Sequence, residues 1–255
     1  EPAGLIYEHF LDRGGEKISK SKGNGLSIET WLDCAPIESL ALYMYQRPKS
    51  AKRLYPEVIP KSVDEYLAHL RAFPSQESMR QMVNPVWHIH QGKPPIIDGD
   101  LNYSLLLNLA MVMPSADPAT LRGFLQRYRK EDARAEEGFF DGLVDHALAY
   151  AKNFAQKAET VPEADADERA ALLDLSKQLG RFQPPGDGTN LAKALQDLVL
   201  EVGKAHGFSD LRSWFRLLYR QLFGREEGPR IGSFIALYGT RETIALLRQA
   251  LRLRL

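Results

Sequence analysis

Residues 209–223 read SDLRSWFRLLYRQLF, and the spacing within this stretch decides the fold class. Its apolar side chains recur at intervals of three and four residues, so they share one face of an α-helix and are expected to be buried. Its arginines recur at every fourth position and therefore lie on a different face. The apolar residues expected in the core are Leu211, Phe215, Leu218 and Leu222. The stretch predicts an amphipathic helix that packs on one side only.

The same helical pattern continues on both sides of this stretch. Helices are predicted from about Asn190 to Ala205 and from Thr240 to Leu253, each after a short break in the pattern. Nearer the N-terminus, Ser27 suits the N-cap of a helix that begins at Ile28. The Asp-Pro pair at 117–118 combines a capping side chain with a proline in the first turn. From residue 28 onward the sequence therefore predicts a mainly α protein.

A further start signal lies at residues 62–65, where Ser-Val-Asp-Glu has the form of a capping box. In such a box the serine hydroxyl accepts from the amide three residues on, and the glutamate side chain accepts from the serine amide. The pattern predicts a helix that begins at Ser62 and ends at Pro74.

Only the beginning of the chain predicts extended structure. Residues 5–10 (LIYEHF) form a short run that is rich in β-formers, and residues 12–15 (DRGG) have the composition of a tight turn. We therefore expect one short extended segment at the N-terminus, followed by a turn and a polar, glycine-punctuated loop over residues 16–25.

The composition excludes several classes of protein. The 255 residues contain 33 Lys and Arg against 33 Asp and Glu, and 44% of them are hydrophobic, as in a folded globular protein. Cys34 is the only cysteine, which excludes an internal disulfide framework and a cysteine-rich zinc site. No apolar run is long enough to span a bilayer. We therefore expect a cytoplasmic protein without a membrane partner.

Residues 17–24 read KISKSKGN and carry the clearest chemical signal. Three lysines and two serines lie close together ahead of Gly-Asn, which predicts a mobile cationic loop. Ammonium groups suit phosphate oxygens, and serine hydroxyls and loop amides add hydrogen bonds. Such a loop can close over a triphosphate and offset the charge that develops on departing pyrophosphate. The alternative interpretation is a solvated basic turn.

This run resembles the K-M-S-K-S signature of the class I aminoacyl-tRNA synthetases, with Ile18 in the place of methionine. The flanking residues, IYEHF at 6–10 and GLSI at 25–28, resemble the same class. Residues 38–66 narrow the resemblance to the bacterial and archaeal class I lysyl-tRNA synthetases, and residues 228–234 (GPRIGSF) resemble that family again. Over the middle helices the sequence resembles that family only in its general character.

The resemblance implies a role for each residue of the loop. Lys20, the second lysine of the signature, would contact the ATP phosphates and stabilise the transition state of adenylation. Lys17 would support it, and Ser19 and Ser21 would help to shape the loop. Ile18 would keep the apolar anchor that methionine provides elsewhere in the family.

The resemblance also implies a reaction and its partners. In this family ATP activates lysine as lysyl-adenylate, with magnesium accompanying the nucleotide, and the lysyl group is transferred to tRNA-Lys. Class I members first acylate the 2′ hydroxyl of the terminal adenosine. No metal site is expected within this chain.

Class I synthetases have a second signature, H-I-G-H, which precedes the lysine signature in sequence. Residues 1–16 do not contain it, and His88-Ile89-His90 lies after the loop and is followed by Gln-Gly, so we do not take it as that motif. The chain also starts without methionine or a signal-peptide pattern. We therefore expect a C-terminal piece of a longer enzyme, inactive alone.

The family likeness predicts three functional parts. Residues 1–27 would be the end of the catalytic domain with the lysine signature. Residues 28–115 would be a helical region that contacts the tRNA stem, and residues 116–255 a cage of helices around the anticodon.

Two groups of basic residues are candidates for contact with RNA. Lys49, Lys52 and Arg53 form a cluster ahead of Tyr55, close in sequence to the lysine signature. From residue 206 onward, nine arginines against four acidic residues give a local charge of +5 in an otherwise neutral chain, which is the footprint expected for phosphate contacts. The candidates among these arginines are Arg212, Arg216, Arg220 and Arg230. The alternative is that they form solvated helix faces.

Several alternatives stay open at this point. Trp214, Phe208 and Tyr219 could stack on RNA bases, but core positions are the favoured interpretation for all three. A fragment of a glutamyl-type class I synthetase is a second interpretation, against which residues 38–66 argue. A helical RNA-binding module that retains the lysine loop without catalytic use is the third.

Overall fold

A computed structural model describes residues 9–19, 21, 25–97, 101–113, 117–128, 137–154, 162–185, 190–208 and 210–252. Within these ranges the chain forms thirteen α-helices and one parallel sheet of two very short strands. The prediction of a mainly α protein with a short extended segment near the N-terminus is therefore confirmed. None of the helices in these ranges is long and apolar enough to cross a bilayer.

The chain divides into two compact units, each with its own packed interior. The first unit comprises residues 1–104 and 131–154, and the second comprises residues 105–130 and 155–255. The three functional parts predicted from the sequence remain a prediction, because compactness carries no information about function.

In its described residues, the first unit contains the sheet and six complete helices. Strands β1 (Phe10–Leu11) and β2 (Lys52–Arg53) pair in parallel, with Phe10 opposite Lys52. The helices are α1 (Ile28–Cys34), α2 (Ile37–Tyr45), α3 (Val58–Ala72), α4 (Ser78–Val83), α5 (Pro85–Ile89) and α8 (Glu137–Phe154). Helix α2 packs on α3 and α5, and α1 packs on α8. Helix α6 (Tyr103–Val112) starts at the end of the first unit and continues in the second.

The core of the first unit is built around buried aromatic side chains with satisfied polar groups. Trp31 is 1% exposed, and its indole nitrogen donates to the hydroxyl of Ser39 at 3.1 Å. Tyr103 is fully buried, and its hydroxyl donates to the carbonyl of Cys34. Cys34 is itself fully buried, and burial raises the pKa of its thiol, so it is a packed side chain rather than a nucleophile.

The prediction of a capping box at residues 62–65 is wrong. Helix α3 begins four residues earlier, at Val58, and Ser62 lies inside it at 5% exposure. The carboxylate of Asp64 instead accepts from the first amides of α6, at 2.5 Å from Tyr103 and 3.3 Å from Ser104. Asp64 therefore makes a tertiary contact with the start of α6, and the four residues do not cap α3. The predicted end of this helix near Pro74 is confirmed, since α3 stops at Ala72 and a 3₁₀ turn follows.

All the regular elements in the described residues of the second unit are helices. They are α7 (Pro118–Tyr128), α9 (Ala166–Arg181), α10 (Leu191–Ala205), α11 (Leu211–Phe223), α12 (Ile231–Tyr238), α13 (Thr240–Ala250) and most of α6. Helix α12 packs closely on α10, and α13 packs on α9 and α11. The predicted helices at about 190–205, 209–223 and 240–253 match α10, α11 and α13 to within a few residues.

Helices α10 and α12 approach until their backbones touch. A Cβ atom on Gly232 of α12 would lie 2.3 Å from the carbonyl oxygen of Ala192 on α10. The amide of Gly232 donates to the side chain of Gln196 at 2.8 Å. Glycine is therefore required at position 232 by the closeness of the two helices, and this accounts for one residue of the GPRIGSF stretch in terms of packing.

The buried face of α11 differs from the predicted one by a small rotation. Its buried residues are Trp214, Leu217, Leu218 and Leu222, while Leu211 and Phe215 are only half-buried. The difference centres on Trp214. Its large indole is fully buried and donates to the carbonyl of Val199 at 2.9 Å. Seating this ring against α10 turns the helix toward it. The expectation that Trp214 belongs to the core is thereby confirmed.

Candidate functional site

We define the lysine loop as residues 17–24. It starts from a small hairpin in the first unit. An isolated antiparallel bridge joins Leu11 of β1 to Lys17, and the amide of Ile18 donates to the carbonyl of Phe10 at 3.0 Å. Strand β1 is in turn held by β2, since the amide of Leu54 donates to the carbonyl of Leu11 at 2.7 Å. The first two residues of the loop are therefore fixed by backbone hydrogen bonds.

The turn of this hairpin is closed by the residues that the sequence predicted. The side chain of Asp12 accepts from the amide of Glu16 at 2.9 Å, and the amide of Asp12 donates to the carbonyl of Glu16 at 2.7 Å. Gly15 has a φ of 88°, a left-handed conformation that favours glycine. The predicted tight turn is confirmed.

The apolar residue of the loop packs against the residue that follows the loop. A Cβ atom on Gly25 would lie only 2.2 Å from Cγ2 of Ile18, so glycine is what allows this contact. The hydroxyls of Ser19 and Ser21 lie 2.9 Å apart and share a hydrogen bond. Lys17 has an exposed side chain. Lys20, the residue with the central predicted role, lies outside the described residues.

Helix α1 begins at Ile28, four residues after the end of the loop. Ser27 is the N-cap of α1, and its hydroxyl accepts from the amide of Thr30 at 3.1 Å. The helix then buries Trp31, whose ring lies 5.4 Å from that of Tyr43. The predicted cap at Ser27 is confirmed, and both ends of the lysine loop are attached to hydrogen-bonded structure.

The basic cluster at 49–53 contains residues in different environments. Lys49 is exposed. Arg53 is also exposed, and its Nη2 atom lies 3.8 Å from where a Cβ of Gly15 would be, which places the guanidinium over the hairpin turn. Lys52 is turned inward, and its ammonium donates to the carbonyls of Tyr43 and Gln46. Lys17 and Arg53 thus supply positive charge at the base of the lysine loop, while Lys52 is used internally.

Two residues near the hairpin were not recognised from the sequence. Arg13 forms an ion pair with Glu57, and its guanidinium lies 5.4 Å from the ring centre of Tyr55. Tyr43 donates its hydroxyl to the carbonyl of Arg53 at 2.7 Å, and burial raises the pKa of this hydroxyl to about 12. Both residues fasten the hairpin to the surrounding helices. Neither has a local sequence signal, because their partners lie ten or more residues away.

In the second unit, the predicted arginine stripe of α11 separates into two environments. Arg212 and Arg216 are exposed. Arg220 is half-buried, and its guanidinium lies 3.1 Å from Glu168, which belongs to the capping box at the start of α9. Arg220 therefore ties α11 to α9, whereas Arg212 and Arg216 present their charges to solvent.

Arg230 lies at the entrance to α12, within the GPRIGSF stretch. It is the N-cap residue but makes no side-chain capping bond, and it is exposed. The preceding turn is held by Tyr219, whose hydroxyl donates to the carbonyl of Pro229 at 2.7 Å and whose ring would be 2.9 Å from a Cβ on Gly228. The helix-entry interpretation of Pro229 fits this geometry, and Arg230 is left available for a partner.

The two histidines at 88 and 90 have other uses than metal binding. The Nε2 atom of His90 shares a hydrogen bond of 2.8 Å with the hydroxyl of Tyr66, and burial lowers the pKa of His90. The Nε2 atom of His88 lies 2.9 Å from the carbonyl of Met82. Over the part of the chain that the structure describes, no three His, Cys, Asp or Glu side chains are grouped so as to hold a metal ion.

Comparison with known proteins first gives the class. Residues 1–93, which include the hairpin, the lysine loop and helices α1 to α5, match the family described as tRNA synthetases class I (K). The match therefore covers the loop and the basic cluster at 49–53 together.

Whole-chain relatives then narrow the class. The chain is 46% identical over 250 residues to a lysine–tRNA ligase of Roseobacter denitrificans, an alignment that covers 98% of this chain and 46% of that protein. It is 40% identical over 255 residues to a lysine–tRNA ligase of Rickettsia felis, covering 99% of this chain and 48% of that protein. The chain is therefore similar over nearly its whole length to lysine–tRNA ligases, and its first 93 residues match the class I lysine family. It spans about half the length of the curated relatives it matches.

Proposed function

We propose that this chain is the C-terminal part of a lysine–tRNA ligase, which activates lysine with ATP and transfers it to tRNA-Lys in the cytoplasm. The observation that carries the proposal is the lysine loop itself: a K-M-S-K-S-like run that starts on a hydrogen-bonded hairpin and ends at the capped helix α1. The chain is 46% identical to a lysine–tRNA ligase over 98% of its length, and this similarity supports the proposal.

In the proposed reaction the lysine carboxylate attacks the α-phosphorus of ATP, and the bond to the bridging oxygen of pyrophosphate breaks. Negative charge then grows on the leaving pyrophosphate. The ammonium of Lys20 would offset this charge, and Lys17 would support it from the hairpin. Fixed positive groups act most strongly where charge develops in the transition state, so the loop would raise the rate more than it raises substrate affinity.

The anchoring of the loop suits this task. Its first two residues are held by β1, and its apolar residue, Ile18, packs on Gly25. Between these anchors the hydroxyls of Ser19 and Ser21 bond to each other. A segment fixed at both ends and short in between can close over phosphates without losing its position relative to α1.

Magnesium would accompany the nucleotide and provide further charge for its phosphates. The described residues contain no group of carboxylates and imidazoles suited to hold the ion.

For tRNA, the proposed contacts are the exposed cations of both units. In the first unit these are Lys49 and Arg53. In the second they are Arg212, Arg216 and Arg230. Lys52 and Arg220, which the sequence also nominated, have internal partners, and we assign them to the structure rather than to RNA.

The test is a lysine-dependent reaction of the full-length protein. We measure ATP–pyrophosphate exchange with tRNA-Lys present. We expect kcat/KM to be at least about 100-fold higher for lysine than for glutamate. A site that pairs with the charge of the lysine side chain would be left with an unpaired buried charge when glutamate binds. A response to glutamate that equals or exceeds the response to lysine would favour the glutamyl-type alternative. Binding of tRNA without exchange for either amino acid would favour a non-catalytic module.

A further inference from the structure

Lys52 differs from the other basic residues of the hairpin region because its ammonium points into the first unit. It donates to the carbonyl of Tyr43 at 2.7 Å and also to the carbonyl of Gln46. These carbonyls belong to the last turn and C-cap of α2, where a helix has no amides of its own to satisfy them. A lysine in this position caps the helix and interacts favourably with its dipole.

A second interaction reinforces the first. The ammonium lies 5.1 Å from the ring centre of Tyr43, within the range of a cation–π contact. The hydroxyl of the same tyrosine donates to the carbonyl of Arg53, the residue after Lys52. Burial, with a smaller contribution from the charge of Arg47, lowers the pKa of Lys52, which agrees with an ammonium that is partly removed from water. The start of β2 is thus fastened to α2 from two directions.

Strand β2 passes this attachment on to the lysine loop. Lys52 lies opposite Phe10 in the parallel pair, and Leu54 donates to Leu11. On the other side of β1, the carbonyl of Phe10 accepts from the amide of Ile18, and Leu11 forms the bridge to Lys17. Every link from Lys52 to the first residues of the loop is therefore a backbone pairing.

We propose that Lys52 is a positioning residue for the lysine loop: by fixing β2 to the C-terminal end of α2, it holds the hairpin from which the loop starts. Lys52 touches no reacting atom, and it reaches the reaction only through β2, β1 and Lys17. The effect of Lys52 on the reaction rests on the proposed function. Its effect on the position of the hairpin, which is the structural half of the proposal, does not depend on that function. It also implies that a lysine inside a surface basic cluster serves the fold and not the RNA.

The structural half is tested by hydrogen exchange on the 255-residue chain, followed at single amides by NMR. Lys52→Met removes the donors and keeps most of the length of the side chain. We expect the amides of Ile18 and Leu54 to exchange about tenfold faster, because loss of the charge-assisted hydrogen bonds makes local opening of the strand pairing more frequent. Lys52→Arg, which keeps the donors, should restore most of the protection. Lys61→Met, at an exposed lysine on α3, is the matched control and should change neither amide. Unchanged exchange at Ile18 in Lys52→Met would overturn the proposal.

The catalytic half is tested in the full-length protein by ATP–pyrophosphate exchange. We expect Lys52→Met to lower kcat by about tenfold with less than a twofold change in the KM for ATP, since a displaced loop stabilises the transition state less well. The affinity for tRNA-Lys should change by less than about twofold, because the ammonium already donates to the carbonyls of Tyr43 and Gln46. A loss of tRNA affinity with normal exchange would assign Lys52 to RNA and overturn the proposal. If the wild-type protein shows no lysine-dependent exchange, the proposed function fails, and the NMR experiment still decides whether Lys52 holds the loop.

Discussion

Replacing Lys20 by alanine in the full-length protein is expected to lower the rate of lysine-dependent ATP–pyrophosphate exchange by about 100- to 1,000-fold. This is the loss that typically follows removal of one preorganised group that stabilises transition-state charge. The affinity for tRNA-Lys should stay within about twofold of wild type, because one charge on a loop dedicated to phosphates of ATP adds little to a large RNA interface. The effect should appear in kcat more than in the KM for ATP.

Two companion variants give this prediction its control. Lys20→Arg keeps the charge but spreads it over a planar guanidinium, so we expect it to recover only part of the rate. Lys61→Ala removes a positive charge from an exposed site on α3 and should leave the exchange rate unchanged. Equal losses of exchange and of tRNA affinity in Lys20→Ala would contradict a role in closing the loop over ATP. They would instead support the interpretation of residues 17–24 as a general basic surface.

The second large effect is expected on RNA binding. Reversing two exposed charges on α11, in the double variant Arg212→Glu and Arg216→Glu, should weaken binding of tRNA-Lys on the order of 100-fold at physiological salt, if each arginine makes a charge-assisted hydrogen bond to phosphate of about 1.5 kcal/mol. The slope of log affinity against log salt should become shallower by roughly one for each arginine–phosphate pair that is removed. Fluorescence anisotropy with labelled tRNA over a salt series measures both quantities.

The chain offers a closely matched control for this experiment. Lys177 and Arg181 are exposed on α9, belong to the same unit, and have the same four-residue spacing as Arg212 and Arg216. Reversing both changes the net charge by the same amount, so any decrease in affinity in this control measures the general electrostatic effect. Arg220→Ala provides a second comparison. It removes the ion pair with Glu168 and should lower thermal stability while leaving the salt slope unchanged. Equal effects of the α9 and α11 double variants would show that position on α11 is irrelevant.

Local cues in the sequence predicted much of this fold. The cap at Ser27, the turn at residues 12–15, the proline start of α7 at Pro118 and the bounds of α10 and α11 all depend on neighbours within a few positions. Such features depend on residue types a few positions apart, so they can be predicted from the local sequence. The lysine loop was recognised for the same reason, because its residues are contiguous.

Interactions across long stretches of chain could not be predicted in this way. The pattern at residues 62–65 has the letters of a capping box, but Asp64 caps α6, 39 residues further on. The basic cluster at 49–53 reads as one surface, yet the ammonium of Lys52 bonds to carbonyls of α2. Arg220 follows the spacing of its exposed neighbours and nevertheless pairs with Glu168, 52 residues earlier. Asp64 and Arg220 thus have partners far away in the sequence. The partners of Lys52 lie only six and nine residues away, on the preceding helix, but neither separation follows the period of a helix or strand.

The same distinction applies to glycine. Gly15 is explained by its own backbone, since a φ of 88° favours glycine wherever it occurs. Gly232 has no unusual backbone requirement of this kind, and its reason is the carbonyl of Ala192 on a neighbouring helix. The resemblance of residues 228–234 to the lysine family therefore reflects, at Gly232, how α12 packs on α10.

Whether these helices belong to an enzyme for tRNA-Lys is tested most directly by RNA binding. The purified 255-residue chain would be titrated into tRNA-Lys transcripts and into transcripts that differ only in the anticodon, over a range of salt concentrations. We predict tighter binding of the lysine anticodon by about tenfold, corresponding to about 1.4 kcal/mol, at every salt concentration, since discrimination by base contacts does not depend on counterion release. Equal affinity for both transcripts, with the same salt slope, would contradict the assignment of anticodon recognition to this chain.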